Sequence, residues 1–216
     1  MDDPISRFLL FKLLSREFTK DMTAILPSDQ SNIIERRLSE GRATQSEITH
    51  FLVVHYYATL HRLALSLLSQ SEEAADVAQQ TIIKAAAKID QYQPGTNFKA
   101  WVFKIAVNEA RMAIRRNQAR QRLKNILTLG LQADSQPLPP EAQMILSERD
   151  RSIWKAVSEL PTKQKLPVLL RYSFGLTDQE ISEILEVPHG TVRSRLHNAH
   201  KKLFVMLAKQ EVKGLR

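Results

Sequence analysis

The sequence predicts an all-α fold: two small helical domains joined by a flexible Pro-containing linker, the second carrying a helix-turn-helix. Three observations lead there. Apolar residues return at helical spacing through most of the chain. Its 216 residues hold only six glycines and 6% aromatic residues, which argues against an all-β fold and against a glycine-rich phosphate loop. The helical pattern is then interrupted at Asp134 to Glu141, DSQPLPPE, with three prolines and little that could build a core. A structureless stretch of this kind inside a compact unit is unusual, so it marks a domain boundary or a working loop.

Size and composition bound the function. With 43% hydrophobic and 25% charged residues, the chain has an ordinary globular composition and the length of one large or two small domains. A net charge of +8 favours a polyanionic partner. The excess is concentrated: Lys99 to Lys124 holds eight cations and one acid, and His189 to Arg216 seven cations and one acid. Two separate basic blocks point to two nucleic-acid contacts. The lack of cysteine excludes disulfide scaffolds, thiolate zinc sites and cysteine nucleophiles. No apolar run approaches the roughly 18–20 residues that span a bilayer. The acidic start at Asp2 and Asp3, ahead of a broken apolar stretch from Phe8 to Leu14, is unlike a signal peptide. A cytoplasmic protein without membrane insertion is expected.

Taken in order, residues 1–30 read as an N-terminal extension, a short amphipathic segment followed by Pro27-Ser28-Asp29; Met22 is an alternative start. A helix is expected over 32–40, broken near Gly41. A long helix follows from about Gln45 to Leu68, with Leu52, Tyr56, Leu60, Leu63 and Leu67 on one face. Ser71, ahead of Glu72 and Glu73, reads as an N-cap with acids in the first turn. That helix turns Ala75, Ala78, Ile82, Ala86 and Ile89 inward and gathers Asp76, Gln79 and Gln80 on its other side. Gln93-Pro94-Gly95-Thr96 is a turn. A basic helix then runs to about Lys124 and completes a domain over 31–124, with 125–146 as the linker.

The second domain, 147–216, resumes the helical pattern. Ile153, Trp154, Val157 and Leu160 form an apolar face stopped by Pro161, and Pro167 is placed in the first turn of the next helix, where proline is tolerated. Gly175 suits a C-cap, and Thr177 with Glu180 forms a capping box. The short helix Asp178 to Leu185, a tight turn at Glu186-Val187-Pro188 and a basic helix from His189 make a helix-turn-helix pattern.

Two faces carry chemistry. On the first basic helix, Lys104, Asn108, Arg111 and Arg115 fall at i, i+4, i+7 and i+11, one ridge, with Trp101 at its edge. Phe103, Val107, Ala110 and Ile114 line the far side, and Phe98, Val102, Ile105 and Met112 form a second apolar stripe. A cationic ridge beside an aromatic suits single-stranded nucleic acid, charge for the phosphates and a flat ring for a base. The plain alternative is a solvated basic face with Trp101 in the core. On the second basic helix Val192, Leu196, Ala199 and Leu203 point inward. Arg193, Ser194, His197, Asn198 and Lys201 collect on the opposite face, with Arg195 on the flank; such side chains read base edges and grip phosphates. An ordinary helical hairpin with a wet face is the alternative there. His189, His197 and His200 have no spacing that suits a metal.

Motifs within these segments go further. Asp76-Val77-Ala78-Gln79 is similar to a D-x-x-Q signature. Asn97 to Ala106, NFKAWVFKIA, with Asn108 is similar to an F-R-A-W-L-Y-R-I-A-x-N signature. Gly190 to Leu196, GTVRSRL, is similar to a G-T-V-x-S-R-L recognition helix. In this order and spacing they resemble a bacterial RNA polymerase sigma factor of the extracytoplasmic-function (ECF) group, over roughly residues 35–124 and 147–208. The resemblance implies that both domains bind core RNA polymerase, the first through Asp76, Gln79 and Gln80. It implies capture and opening of the promoter −10 element by Phe98, Lys99, Trp101, Lys104, Asn108, Arg111 and Arg115. It implies −35 reading by Thr191, Arg193, Ser194, Arg195, His197, Asn198 and Lys201. The linker, with Asp134 and Glu141, would thread the polymerase channel. The implied partners are core polymerase, promoter DNA and an anti-sigma factor, with no catalytic residue, metal or cofactor. Met112 stands where aspartate is common in the family, Lys165-Leu166-Pro167 replaces an arginine-centred run, and Asn198 and His200 replace frequent arginines. His200 would add charge there only at low pH.

Two other functions compete. A stand-alone helix-turn-helix regulator explains residues 147–208 but leaves Asp76, Gln79 and the aromatic-basic ridge without a role. An enzyme acting on nucleic acid lacks paired carboxylates, a metal-ligand cluster and a phosphate loop.

Overall fold

The structure, a computed structural model, describes residues 43–68, 70–127 and 148–214. The expectations for residues 1–30, for a helix over 32–40 and for Asp134 and Glu141 lie outside them. The described residues fall into two helical units, one within residues 28–139 and one within 140–216.

In the first unit α1 spans Gln45–Leu68, α2 Ser71–Ala87 and α3 Phe98–Leu127. A capping box opens α1: the Thr44 N–H donates to Glu47 Oε2 at 2.9 Å and the Glu47 N–H to Thr44 Oγ1 at 3.3 Å. Its apolar face buries Ile48, Phe51, Leu52, Tyr56, Leu60, Leu63 and Ala64, and Leu67 packs at the edge of the core. By length and composition α1 is also apolar enough to cross a membrane, which corrects the expectation that no segment approaches that limit. Here its buried face forms the core against α2 and α3.

Helix α2 starts differently from the expectation. Gln70 holds the N-cap position in extended geometry without a side-chain cap bond, and Ser71 is the first helical residue. The inward face is wide, with Ala74, Val77, Ala78, Thr81, Ile82, Ala85 and Ala86 buried. The Thr81 hydroxyl is satisfied by donating to the Val77 carbonyl at 2.7 Å. Small residues do much of the packing: Ala64, Ala74, Val77, Ala110 and Ala113 meet with Leu65, Leu67 and Leu68 around them, which allows the three helix backbones to approach closely.

A 3-10 turn over Ile89–Gln91 and a turn at Gln93–Thr96 lead into α3. Gly95 takes φ +87°, a conformation that glycine adopts without a Cβ penalty. The Tyr92 hydroxyl donates to the Thr96 carbonyl at 2.7 Å and Asn97 Oδ1 accepts from the Ala100 N–H at 2.9 Å, so Asn97 caps the helix. Helix α3 continues to Leu127, three residues into the segment read as linker.

In the second unit α4 spans Glu148–Ser158, α5 Thr162–Val168, α6 Asp178–Leu185 and α7 His189–Gly214. Helix α7 packs against α4, α5 and α6. Ile153, Trp154, Ala156, Val157 and Leu160 supply one wall of the core, and Val192, Leu196, Ala199 and Leu203 the facing one. Pro167 is not in the first turn of α5 but is its sixth residue, buried. Proline there removes an i→i−4 donor. The chain passes directly into a π turn at Leu169–Ser173, where the Phe174 N–H reaches back five residues to Leu169 at 3.2 Å. Burial pushes the Lys165 ammonium below the ordinary lysine range.

The helix-turn-helix is fastened at each end. The Thr177 N–H donates to Glu180 Oε2 at 2.6 Å and the Glu180 N–H to Thr177 Oγ1 at 3.3 Å, the expected capping box. Glu186 closes α6 in the left-handed region at φ 55°. The Ser182 hydroxyl, donating to the Val187 carbonyl at 2.6 Å, holds that turn shut. Replacing Thr177 with alanine removes the hydroxyl half of the box, the bond from the Glu180 N–H, and leaves the backbone N–H at position 177 free to keep its bond to Glu180. The expected result is a loss of about 1 kcal/mol in the second unit, read by urea denaturation followed at Trp154; an unchanged midpoint would contradict the cap's role.

Candidate nucleic-acid interface

Helix α3 is sorted by face. Phe98, Ala100, Val102, Phe103, Ala106, Val107, Ala110 and Ala113 are buried, whereas Lys104, Asn108 and Arg111 are half-buried and Arg115 is exposed on the opposite ridge. The two apolar stripes therefore merge into one wide core face at the start of the helix. The second stripe ends early: Ile105 is half-buried and Met112 is 49% exposed. Lys99 lies over the Phe103 ring, Nζ 5.8 Å from the centroid.

One residue assigned to strand contact is in the wrong place for it. Phe98 is 1% exposed, packed in a cluster with Phe51, Tyr56, Tyr92 and Trp101 at ring separations of 5.0 to 6.1 Å. Its ring is core and offers no face to a base. Trp101 differs: it is half-buried, with Phe98 and Tyr92 at 5.7 and 5.6 Å, so the indole is braced by two core rings while part of it stays accessible.

Asp76, Gln79 and Gln80 are all exposed on the outer side of α2. Asp76 also lines a shallow, solvent-open cleft between α2 and α3, with Glu73, Ala113, Arg116, Asn117 and Arg120. The Asn117 amide donates to Glu73 across it. Sequence reading missed this cleft and also Glu109. Glu109 is buried on α3 and accepts from Lys84 Nζ of α2 at 2.7 Å, a brace between helices. Twenty-five positions separate that pair, and nothing local in the sequence signals it.

Of the α7 side chains expected to read DNA, Arg193, Ser194, His197, Asn198 and Lys201 are exposed and Thr191 and Arg195 half-buried; further along the helix Lys202, Phe204 and Val205 are exposed too. The Ser194 hydroxyl donates to the Thr191 carbonyl at 3.0 Å, which leaves its oxygen as an acceptor. His200 is turned away from this face: its Nε2 lies 2.8 Å from the Tyr172 hydroxyl, and the two rings pack at 5.6 Å. That corrects its reading as a replacement for a groove-facing arginine. Among the described residues, no group of three or more histidines or acids is placed to hold a metal.

The sequence matches the family model for Sigma-70 region 2 over residues 52–120 and that for Sigma-70, region 4, over residues 150–203, together more than half of the chain. The first match takes in α2 and the ridge of α3, and the second takes in the helix-turn-helix. The chain belongs to the extracytoplasmic-function group of RNA polymerase sigma factors. As a sigma factor it directs core RNA polymerase to promoters, the work of a non-catalytic DNA-recognition subunit. It is similar to the ECF sigma factor SigW of Bacillus subtilis, 27% identical over 79% of this chain and 95% of that protein. It is also similar to the ECF sigma-E factor of Haemophilus influenzae, 29% identical over 71% of this chain and 84% of that protein. Among solved structures, the sigma factor RpoE in complex with the anti-sigma factor NepR from Bartonella quintana is 28% identical, with a TM-score of 0.58 over 76% of this chain and 98% of that one. CnrH, solved with the cytosolic domain of CnrY, shares the fold at 20% identity and a TM-score of 0.56, over 82% of this chain and 96% of that one.

The placement of Phe98 has a direct test. Phe98→Ala empties the centre of the aromatic cluster and is expected to cost about 3–5 kcal/mol, read by urea denaturation of the full chain. A loss below about 1 kcal/mol would mean that the ring is not a core element.

Proposed function

We propose that residues 31–124 form the unit that docks on core polymerase and opens the −10 element. Residues 147–216 form the unit that reads the −35 element, with 125–146 as the linker between them. The observation that carries this reading is the division of labour on α3: one helix buries its apolar face in the bundle and presents Lys104, Asn108, Arg111 and Arg115 opposite. The cations and the asparagine amide suit a strand backbone, and the half-buried Trp101 beside them supports an unpaired base. Asp76, Gln79 and Gln80, on the outer side of α2, suit a basic helical face of the polymerase. Thr191, Arg193, Ser194, Arg195, His197, Asn198 and Lys201 enter the major groove.

The factor acts in the cytoplasm, with no catalytic residue of its own; polymerisation belongs to the polymerase. Regulation by an anti-sigma factor is proposed from the similar sigma factor RpoE, which was solved in complex with the anti-sigma factor NepR. Core polymerase transcribing fragmented genomic DNA of the source organism, with and without the chain, tests the reading. Chain-dependent 5′ ends are expected to share two upstream elements, and a set without any common element would overturn it.

The melting role of the indole is tested on one promoter found in this way. Trp101→Ala is expected to leave closed-complex formation intact while slowing strand opening at least tenfold, about 1.4 kcal/mol on the barrier, measured by permanganate reactivity of unpaired thymines. A normal opening rate would make Trp101 a core residue only.

A further inference from the structure

Asp178, the first residue of α6, stands at a convergence that the sigma-factor reading leaves without a role. Four side chains from three elements meet there: Arg171 of the π turn, Asp178 itself, and His189 and Arg193 from the first two turns of α7. Arg171 Nη1 lies 3.7 Å from Asp178 Oδ1, while Arg193 Nε and His189 Nε2 lie 3.7 and 4.0 Å from Oδ2, the histidine being a cation only when protonated. These are ion-pair distances, longer than hydrogen bonds, and Oδ1 is buried without a hydrogen-bond partner. Arg171 is anchored separately, donating to the Leu176 carbonyl at 3.2 Å.

An acid in the first turn of a helix is stabilised by the helix dipole alone. That explanation requires neither arginine. It also leaves out the cost of this position, because a carboxylate beside the groove-facing arginine repels the phosphates that α7 must approach. What the arrangement does is offset two fixed cations at the reading end of the helix. Phosphate contacts hold a protein on any duplex, whereas base-edge contacts distinguish one sequence from another. An arginine paired to a carboxylate is less available to phosphates. Arg193 is 71% exposed and its partner Asp178 23%, so the pair is a weak, solvent-screened one that yields to a better contact. A bidentate contact to a guanine edge is such a contact, since it adds geometry to charge.

We propose that Asp178 is a specificity-determining residue, holding Arg193 and Arg171 off the backbone of non-cognate duplex and releasing Arg193 to a base edge. Discrimination then rests on a repulsive element as well as an attractive one. The proposal depends on the reading of α7 as the −35 reader.

The test uses the full chain bound to core polymerase. Wild type, Asp178→Asn, Asp178→Glu and Arg193→Ala each select from duplexes randomised across the upstream promoter region. Each is also titrated with an unselected random-sequence duplex across a salt series. Asp178→Asn is expected to bind the random duplex more tightly, with a log–log salt slope steeper by about one to two, as one or two freed cations require. Its selected sequences should be less defined at the position lost in Arg193→Ala. Asp178→Glu keeps the charge and should stay close to wild type. A merely structural acid predicts something else: loss of both random and selected binding in Asp178→Asn, which would overturn the proposal. An unchanged slope and unchanged selection would overturn it equally. If Arg193→Ala selects the same sequences as wild type, the reading of α7 falls and this proposal with it. If Arg193→Ala alters the selection and Asp178→Asn does not, only the role of Asp178 falls.

Discussion

Burial of the apolar face of α3 is the constraint on which the first unit depends. Phe98, Val102, Phe103, Val107 and Ala110 can leave water only against α1 and α2, and once they do, the rotation of the helix about its axis is set. Lys104, Asn108, Arg111 and Arg115 then have no choice of side. Each aromatic ring in the cluster around Phe98 adds more to this than any surface ion pair can, since a large buried side chain is worth a few kcal/mol and an exposed pair at most about one. The polar ridge is thus positioned by apolar packing at its back. The buried Glu109, held by Lys84, fixes α3 against α2 by a second and different means.

The second unit solves the same problem with less material. Helix α6 is eight residues long, too short to be stable alone. Its start is held by the Thr177–Glu180 box, its end by the Ser182–Val187 bond, and its inner face by Ile181, Ile184 and Leu185 in the core. These fastenings decide where α7 begins and so which of its side chains face outward. The π turn after Pro167 contributes too, because it carries Arg171 and Tyr172 to the positions from which they meet Asp178 and His200.

Much of this was legible in the sequence, for identifiable reasons. The bounds of α1 could be read from apolar periodicity, and those of α6 from its capping box and the tight turn at Glu186-Val187-Pro188. The exposed side of α7 followed from Val192, Leu196, Ala199 and Leu203 alone. The misreadings share a cause, which is dependence on partners distant in the chain. Phe98 shares a helical turn with Trp101, and only Phe51, Tyr56 and Tyr92, supplied by other segments, decide which ring is enclosed. His200 sits on a basic helix but is claimed by Tyr172, 28 positions away. Pro167 was placed by local rule in a first turn, whereas the backbone accommodates it further in by widening into a π turn. Gln70 took the cap position expected for Ser71, a shift of one residue that periodicity cannot resolve.

A sigma factor acts only as part of a polymerase, and core docking tests that most directly. The purified chain is expected to co-elute with core RNA polymerase as a stable complex, and a variant carrying Asp76→Ala and Gln79→Ala, both exposed on α2 and absent from the core, is expected to fold normally and co-elute poorly. Failure of the wild-type chain to join the polymerase, together with tight binding to duplex DNA on its own, would contradict the account and leave a stand-alone regulator in its place.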